Sequence, residues 1–478
     1  MASIVGRKRE KEELDRIFKS PNPELIVVYG RRRVGKTFLI REHFGNQISF
    51  EITGLHNEPL KRQLESFANR LASHSGAAKE RPTSWIQAFE QLRQHLQFIK
   101  SKKRMVIFFD EFPWLATRRS GFLAAFEEFW NTFGSRDSRL VCVICGSAAS
   151  WMINRVLNSK GGLHNRTTSR ILLLPFSLAE TNDFLIHNKV KLTKSQITQL
   201  YMAVGGIPHY LQRVQRGKSA SQNINAMCFQ KDSLLAGEFS NLYRALFENS
   251  DRHEKVVRAL AKKRLGLTRA ELANTSALKS GGTLTKVLTE LRESGFILEI
   301  PALYKLRKES LYRLIDEYSL FYLSWIESNR TTGPNIWQSK STGQKWKSWC
   351  GYAFENLCFR HLSQIKFSLG ISGIISEEAS WQYVAKNKQE DGAQIDLLID
   401  RSDQCINLCE MKFANAPFSI NKKYAGELRQ KMRVFQEQAK NNKAIFLTMV
   451  TANGVKENQY SVELVSNEIP LSKLFSDI

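Results

Sequence analysis

The most informative segment of this chain is Gly30-Arg-Arg-Arg-Val-Gly-Lys-Thr37. The apolar run Leu25-Ile-Val-Val-Tyr29 precedes it, and an amphipathic segment that begins at Phe38 follows it. A short strand, a loop of the pattern G-x-x-x-x-G-K-[ST] and a helix together predict a phosphate-binding loop. Glycine allows successive backbone N–H groups to face a polyphosphate, and the helix adds its positive N-terminal end. The alternative, a chance match in a basic loop, is disfavoured by the flanking strand and helix.

Side chains at this loop and after a second strand predict the chemistry. Lys36 is expected to reach the β- and γ-phosphates of a nucleotide, and Thr37 to place its hydroxyl on Mg²⁺. The run Arg104-Met-Val-Ile-Phe-Phe-Asp110 predicts a central parallel strand, and ligands bind at the carboxyl edge of such a sheet. We therefore expect Asp110 to hold Mg²⁺ through water and Glu111 to polarise the attacking water. An acidic loop after a strand is the alternative.

Two further positions are weaker candidates for the same site. Ser147 follows the predicted strand Leu140–Cys145, where a polar side chain can sense the γ-phosphate; a turn serine is the alternative. Arg166 can contact a nucleotide phosphate within the chain or from a neighbouring subunit, which allows a nucleotide-dependent oligomer. A plain surface arginine is the alternative for Arg166.

Composition points to an anionic partner. The chain has 478 residues, for which about three domains is the expectation. Its net charge of +24 predicts a nucleic-acid partner, with DNA favoured, although a solvated basic surface without a partner is the alternative. Charges stand near the N-terminus where a signal peptide needs an apolar core, and no apolar run approaches ~20 residues. We therefore expect a cytoplasmic protein with no membrane partner.

The motifs above, in this order, resemble an archaeal-type ATPase family in the STAND branch of the AAA+-like P-loop NTPases. Val5-Gly-Arg7 and Gly205-Gly-Ile-Pro208 add to the resemblance, which covers the first half of the chain. It implies ATP and Mg²⁺ as cofactors, and a helical lid in which Pro208 or His209 reports the nucleotide state; a helix stop is the alternative. The nucleotide-binding residues that it implies are Gly6, Arg7, Gly30, Arg31, Arg32, Arg33, Val34, Gly35, Lys36, Thr37, Asp110, Ser147, Arg166 and Pro208.

The middle of the chain predicts helices followed by a β-hairpin. Residues 177–239 have helical spacing, and three more helices precede two strands near 295–300 and 311–315. That order predicts a winged helix, which either binds duplex DNA through its third helix, where Lys286 lies, or serves as an arm within the protein.

A basic, aromatic linker follows the predicted winged helix. It contains the turn Thr331-Thr-Gly-Pro334 and tryptophans interleaved with lysines up to Trp349. Such tryptophans either line a nucleic-acid groove or pack as one face of an amphipathic helix, and we favour packing.

Three carboxylates and a lysine in the C-terminal part suit metal-dependent hydrolysis. Glu355 lies on an amphipathic helix, Asp396 on the predicted strand Gln394–Asp400, and Glu410 and Lys412 on the strand after it. Glu410 and Lys412 share a strand face, and Asp396 can lie beside Glu410 if the two strands form a hairpin. The carboxylates would hold Mg²⁺, and Lys412 would position or deprotonate a water.

This spacing looks like the PD-(D/E)XK nuclease superfamily. The resemblance implies that the three carboxylates bind metal and that Glu410 and Lys412 are catalytic. Gln394-Ile-Asp396 departs from the motif, because no proline precedes the aspartate. Basic residues between Lys422 and Arg433 either lie along phosphates or form a solvated helix face.

The expected fold is multidomain α/β: a parallel P-loop NTPase sheet with a helical lid, a winged helix, and a C-terminal α/β domain of the restriction-endonuclease type. The expected domains are the ATPase core at residues 1–176, the lid at 177–240, the winged helix at 241–316, the linker at 317–350 and the nuclease-like domain at 351–478.

The leading hypothesis is an ATPase that controls a Mg²⁺-dependent nuclease, in defence or in the maintenance of mobile DNA. The second is an ATP-driven DNA-binding switch whose nuclease fold does not cut. The third is a STAND-type signalling ATPase with a protein partner. The presence of all four C-terminal side chains favours the first hypothesis over the second.

Overall fold

The structure is a computed structural model that describes most of the chain. The described residues are 3–76, 80–117, 119–158, 163, 165–263, 265–278, 280–303, 310–329, 335–385, 387, 390–439 and 442–478. Two compact units divide the chain, residues 1–175 and residues 176–478. Within the described residues, no helix combines the length and the apolar composition that a membrane span requires.

The first unit has five strands and seven α-helices among its described residues. The strands are β1 (Glu24–Tyr29), β2 (Ile48–Thr53), β3 (Met105–Asp110), β4 (Leu140–Gly146) and β5 (Ser169–Leu172). The helices are α1 (Lys8–Phe18), α2 (Lys36–Phe44), α3 (Leu60–Ser75), α4 (Trp85–Phe98), α5 (Phe112–Leu115), α6 (Phe122–Thr132) and α7 (Ala149–Met152), with a π-helical turn at Ile153–Leu157.

The strands of this unit form one parallel sheet in the order β2-β3-β4-β1-β5. Every residue of β3 and β4 is buried, as expected of central strands covered on both faces. The predicted parallel P-loop sheet is thus confirmed. Because parallel strands end at the same edge, the ends of β1, β3 and β4 bring the phosphate loop, Glu111 and Ser147 together.

The second unit begins with five helices, in the part predicted to be helical. They are α8 (Leu178–His187), α9 (Lys194–Val204), α10 (Pro208–Leu211), α11 (Ala220–Cys228) and α12 (Glu238–Arg244). Ser177 and Glu180 form a capping box that starts α8, and Ser219 and Gln222 form another that starts α11. These polar pairs satisfy backbone N–H groups that the first helical turn leaves without partners.

Three helices and a small sheet follow. The elements are α13 (Ser250–Ala261), β6 (Leu267–Thr268), α14 (Arg269–Thr275), α15 (Gly282–Glu293), β7 (Ile297–Ile300) and β8 (Leu311–Leu314). The strands pair antiparallel in the order β6-β8-β7, and a capping box of Thr268 and Glu271, recognisable from the Thr-x-x-Glu spacing, starts α14. Lys279, which precedes α15 in the chain, lies outside the described residues.

An aromatic helical region connects these elements to the C-terminal sheet. Its helices are α16 (Glu317–Phe321), continued by a π-helical turn at Tyr322–Ile326, α17 (Ile336–Lys340), α18 (Gln344–Arg360) and α19 (Leu362–Ser368). The predicted turn Thr331–Pro334 lies outside the described residues. The expected domain boundary at residues 350/351 falls inside α18, so the basic aromatic segment and Glu355 share one continuous helix.

The tryptophans of this region are core residues. Trp325, Trp337, Trp346 and Trp349 are all buried, and the rings of Trp346 and Trp349 stack with their centroids 4.9 Å apart. Trp337 packs edge-on against Trp346 at the same distance. The aromatic rings are therefore not available to stack on bases, in agreement with the packing alternative.

The C-terminal part is a separate mixed sheet with helices. Its elements are β9 (Ser376–Tyr383), β10 (Ala393–Arg401), β11 (Cys405–Lys412), α20 (Lys422–Ala439), β12 (Ala444–Thr451), α21 (Gln459–Leu464) and β13 (Asn467–Pro470). The strand order is β13-β12-β11-β10-β9, with β9, β10 and β11 antiparallel and β11, β12 and β13 parallel. Leu428 and Phe435 of α20 bury one helix face in the core beside Leu398 and Leu408.

Candidate functional site

The ammonium group of Lys36 lies inside the predicted phosphate loop. Its Nζ donates hydrogen bonds to the backbone oxygens of Gly30 at 3.0 Å and Arg31 at 2.9 Å, and to Ser147 Oγ at 2.9 Å. Gly30 has a φ of 147°, and a Cβ atom there would lie 2.3 Å from the Leu173 carbonyl oxygen. Only glycine fits at that position, which fixes the path by which the loop leaves β1.

Thr37 and Asp110 form the second contact of this site. The Thr37 hydroxyl donates to Asp110 Oδ2 at 2.9 Å, and Asp110 is buried at the end of β3. Burial, followed by the charge of Glu111, raises the pKa of Asp110, while the hydrogen bond from Thr37 opposes that change. A buried carboxylate beside a hydroxyl offers the hard oxygen ligands that Mg²⁺ takes, so these residues fit the ion.

Glu111 lies against Ser147. Its Oε1 accepts from the Ser147 hydroxyl at 2.6 Å, and its Oε2 accepts from the Ser147 backbone N–H at 3.2 Å. Glu111 adopts a left-handed conformation with a φ of 44°, a costly geometry for a residue with a side chain. Lys36, Ser147 and Glu111 therefore form one continuous hydrogen-bonded chain at the carboxyl edge of the sheet.

The N-terminal Gly6-Arg7 segment also reaches the loop. Arg7 is buried, has a left-handed φ of 56°, and donates from Nη2 to the Val34 carbonyl oxygen at 3.1 Å. Gly6 precedes it with a φ of 64°. Arg7 therefore lies against the phosphate loop, and its contact with a nucleotide stays a prediction.

The remaining loop residues differ in exposure. Arg31 and Val34 are buried, Arg32 is exposed, and Arg33 and Gly35 are half-buried with positive φ values of 69° and 94°. Such conformations suit a loop that turns its backbone N–H groups toward one point.

Two predicted nucleotide-site residues lie elsewhere in the chain. Arg166 is exposed on a turn, and no hydrogen bond or ion pair with another described residue joins its side chain to the phosphate loop. Pro208 occupies the first turn of α10 in the second unit. Their proposed nucleotide contacts stay predictions.

Glu410 is the centre of the C-terminal site and binds three side chains. Its Oε1 accepts from Lys412 Nζ and from the Tyr424 hydroxyl, both at 2.7 Å, and its Oε2 accepts from Lys431 Nζ at 2.8 Å. Burial favours the neutral acid, but the two ammonium groups outweigh it and hold the pKa of Glu410 below its usual value. Glu410 is therefore a buried carboxylate whose charge is balanced by lysine.

Asp396 lies on the neighbouring strand. The antiparallel register pairs Leu397 with Cys409, and Asp396 and Glu410 are the next residues along their two strands. Burial, and then the carboxylates of Glu355 and Glu410, raise the pKa of Asp396 to about 7. Carboxylates this close repel one another unless a cation or a proton separates their charges.

Glu355 comes from α18 and already has a basic partner. Arg313 of β8, itself 1% exposed, donates from Nη2 to Glu355 Oε2 at 2.8 Å. Its guanidinium also lies over the rings of Tyr352 and Phe359, at 5.0 and 5.1 Å. The ion pair connects β8 to the helix that carries Glu355.

Across the described ranges, no three His, Cys, Asp or Glu side chains are placed as a group that could hold a metal ion. Asp396 and Glu410 instead lie close enough for the charge of Glu410 to raise the pKa of Asp396. A pair fits Mg²⁺ where substrate phosphates and water supply the other ligands, since Mg²⁺ is commonly bound by one or two carboxylates in this way.

Residues 4–214 match the family described as an ATPase domain predominantly from Archaea. This chain carries an ATPase domain of that family. An uncharacterized protein of Methanocaldococcus jannaschii is 26% identical over 366 residues, 76% of this chain and 78% of that protein. An uncharacterized ATP-binding protein of the same archaeon is 49% identical over 44 residues, 9% of this chain and 75% of that protein. A Walker-type ATPase of Pyrococcus abyssi has a TM-score of 0.49 at 18% identity, covering 67% of this chain and 96% of that chain.

The ATPase domain contains all of the residues predicted for nucleotide binding, from Gly6 to Pro208. The family match supports ATP binding and hydrolysis by this domain. It ends before the C-terminal carboxylates, so the chemistry of Glu355, Asp396 and Glu410 depends on their own geometry.

Three residues outside the ATPase domain bind the C-terminal carboxylates in contacts that the sequence did not predict, although Lys431 was among the basic residues expected to lie along phosphates. Lys431 and Tyr424 bind Glu410, and Arg313 binds Glu355. Tyr424 and Lys431 are seven residues apart on α20 and so share a helix face, which was the one available signal. Nothing in the sequence near Arg313 pointed to Glu355.

Proposed function

We propose that this protein hydrolyses ATP at the phosphate loop and uses it to control Mg²⁺-dependent cleavage of nucleic acid at the C-terminal carboxylates. The observation that carries the cleavage proposal is the position of Asp396 and Glu410 on adjacent antiparallel strands, one residue beyond the paired Leu397 and Cys409, with Lys412 Nζ 2.7 Å from Glu410 Oε1. A helix that carries a carboxylate, followed by this hairpin, is the arrangement expected from the nuclease resemblance.

The ATPase roles follow from the contacts of the first unit. Lys36 would exchange its carbonyl and Ser147 partners for the β- and γ-phosphates, and the Thr37 hydroxyl and Asp110 would hold Mg²⁺. Bound Mg²⁺ would neutralise phosphate charge. Glu111 would accept a proton from the attacking water, and Ser147, which bonds both Lys36 and Glu111, would orient that carboxylate.

The C-terminal roles follow in the same way. Asp396 and Glu410 would hold Mg²⁺, which would act as a Lewis acid on the scissile phosphate. Lys412 would orient a water against that phosphate, and Glu355 would add negative charge from α18. We propose DNA as the partner, in keeping with the net charge of +24, and a winged helix at residues 241–316.

A second candidate is a switch that grips DNA without cutting it. It is favoured by the number of basic side chains around the acids. Arg313 binds Glu355, and Lys412 and Lys431 both bind Glu410, so three cationic groups face the three carboxylates. A site with this balance attracts a divalent cation less strongly than carboxylates without basic partners.

The experiment is incubation of the full chain with duplex DNA, single-stranded DNA and RNA in Mg²⁺, with and without ATP. Wild type should cut at least one substrate, and Asp396→Ala should hydrolyse ATP but not cut. Lys36→Ala should lose ATP hydrolysis, and its cutting should no longer respond to ATP. Asp400→Ala is the matched control, because Asp400 lies on the same strand but pairs with Lys443. If wild type binds DNA but cuts nothing, the second candidate replaces the first.

A further inference from the structure

Lys431 reaches the C-terminal site from α20, a helix that lies outside the sequence motif. Its Nζ lies 2.8 Å from Glu410 Oε2, and its side chain is 22% exposed. The neighbouring Tyr424 binds the other oxygen, Oε1, from the same helix face. Each oxygen of Glu410 is therefore covered by a hydrogen-bond donor from α20.

The position of Lys431 conflicts with metal binding at Glu410. An ammonium group 2.8 Å from Glu410 Oε2 weakens the binding of a divalent cation to that oxygen, because the two positive charges repel. Lys412 and Glu410 lie on one strand, so Lys412 stays beside the site. Lys431 extends from a separate helix by a long, flexible side chain that is partly exposed, so it can turn away from Glu410.

An ammonium group displaced from Glu410 remains next to the place where the metal and its phosphate ligand would lie. Such a lysine is a compact point charge that suits a phosphodiester oxygen. The Lys431 ammonium group would then bind the Glu410 carboxylate before the metal arrives and the phosphate afterwards.

We propose that Lys431 is a further residue of the C-terminal site, which competes with a divalent cation for Glu410 and, once displaced, binds a phosphodiester oxygen of the nucleic acid. The proposal rests on the proposed nuclease function. It assigns to Lys431 a positioning role for the phosphate, distinct from the role of Lys412 toward water.

The test measures Mn²⁺ binding to the full chain by calorimetry in the absence of nucleotide. Mn²⁺ binding that persists in Asp396→Ala is subtracted, so that only binding at the C-terminal site is compared. Lys431→Met should bind Mn²⁺ several-fold more tightly than wild type, because the competing charge is gone. Its cleavage rate at saturating Mg²⁺ should fall about 10-fold or more, whereas Lys431→Arg should retain part of the rate. Lys423→Met is the matched control, since it removes one exposed positive charge from the same helix.

Tighter Mn²⁺ binding together with slower cleavage supports the proposal, because a merely structural lysine would not move the two readouts in opposite directions. Unchanged Mn²⁺ affinity in Lys431→Met, relative to Lys423→Met, overturns it even if wild type cuts. If Lys431→Met binds Mn²⁺ more tightly but wild type cuts no nucleic acid, the competition for Glu410 stands and the proposed cleavage fails. If wild type and Asp396→Ala bind Mn²⁺ equally, both the competition for Glu410 and the proposed cleavage site are overturned. Thermal unfolding of each variant separates these results from loss of the fold.

Discussion

At the residue scale, Glu111 has a constrained position that agrees with a role in catalysis. Its left-handed backbone turns the side chain toward Ser147, whose hydroxyl and N–H both donate to the carboxylate. Ser147 in turn accepts from Lys36. A change at the phosphates that moves Lys36 would therefore reach Glu111 through a single hydroxyl group.

Glu111→Gln should retain ATP binding while hydrolysis falls by about 100-fold or more, because the amide cannot accept a proton from water. The hydrolysis rate of Ser147→Ala should lie between those of Glu111→Gln and wild type, since this variant loses one hydrogen bond but keeps the charge of Glu111. Lys36→Ala should lose ATP binding itself. The measurement is steady-state hydrolysis alongside equilibrium nucleotide binding. Hydrolysis by Glu111→Gln at the wild-type rate would show that Glu111 is not the group that activates water.

His361 is a second residue whose protonation matters, in this case for stability. Its Nε2 accepts from the Leu178 N–H at 3.1 Å, and its Nδ1 donates to the Leu357 carbonyl oxygen at 2.8 Å, so the ring is neutral. Burial lowers the pKa of His361 from 6.5 to about 4. Protonation would place two hydrogens between Nε2 and the Leu178 nitrogen.

The stability contributed by neutral His361 should be lost as the pH falls from about 6.5 to about 4. Between these pH values the unfolded chain binds a proton that the folded chain does not. The free energy of unfolding therefore falls by at most about 1.4 kcal/mol for each pH unit. His361→Gln should be less stable at pH 7.5, and the gap to wild type should narrow at low pH. Unfolding free energies of the two proteins at several pH values give this difference.

The free energy of unfolding of wild type must be compared with that of His361→Gln at each pH. Titration of Asp396, which is present in both proteins, changes the stability in the opposite direction. Its raised folded pKa removes stability as the pH rises from 3.8 toward about 7. A gap between His361→Gln and wild type that stays constant from pH 4.5 to 7.5 would contradict the assignment of a neutral, buried His361.

At the element scale, α18 connects three parts of the second unit. Asn356 donates to the Leu314 carbonyl oxygen at 3.0 Å, and Arg360 pairs with the buried Glu317. Glu355 pairs with Arg313, and the tryptophans near the start of the helix lie in the aromatic core. The helix that presents Glu355 is therefore held along its whole length, which restricts how far that carboxylate can move.

Arg313→Met should destabilise the second unit by about 3 kcal/mol, because it leaves the Glu355 carboxylate partly buried without its cation. Glu355→Gln should cost less, and the double variant Arg313→Met/Glu355→Gln should recover much of the loss. Denaturant unfolding of the four proteins forms a double-mutant cycle. Losses that simply add would mean that Arg313 and Glu355 do not stabilise each other.

At the scale of the whole molecule, the net charge of +24 suggests more phosphate binding than α20 can provide, because several basic side chains of that helix are in ion pairs. Arg429 pairs with Glu463, Lys431 with Glu410, and Arg433 with Asp391. By contrast, Lys422 and Lys423 are exposed and form no ion pair with another described residue. The expected basic face of this helix is thus largely neutralised.

DNA binding by the full chain should weaken steeply between ~50 and ~200 mM salt, since phosphate contacts release counterions. Lys422→Gln should make the slope of log affinity against log salt shallower by about 1, if Lys422 meets a phosphate. Arg429→Gln, on the same helix, should leave the slope nearly unchanged because Glu463 already neutralises that arginine. Affinity that does not depend on salt would contradict the phosphate-contact model for the whole protein.

The sequence alone determined the ATPase core and the order of its elements. The phosphate loop, the apolar strand before it and the strand ending in Asp110-Glu111 depend on residues close together in the chain, where backbone geometry and hydrophobic period are local properties. The same holds for the capping box of Thr268 and Glu271, and for Glu410 and Lys412 on one strand face.

Which charges meet depends on packing between elements that are distant in the chain. Lys431 and Arg313 bind carboxylates on other elements, and the tryptophans that alternate with lysines are buried rather than open to bases. Periodicity shows which face of a helix is apolar, but it does not show which distant element that face covers. A long side chain such as lysine or arginine then takes the partner that packing places within its reach, so the electrostatics of the C-terminal site follow from the fold and not from the motif.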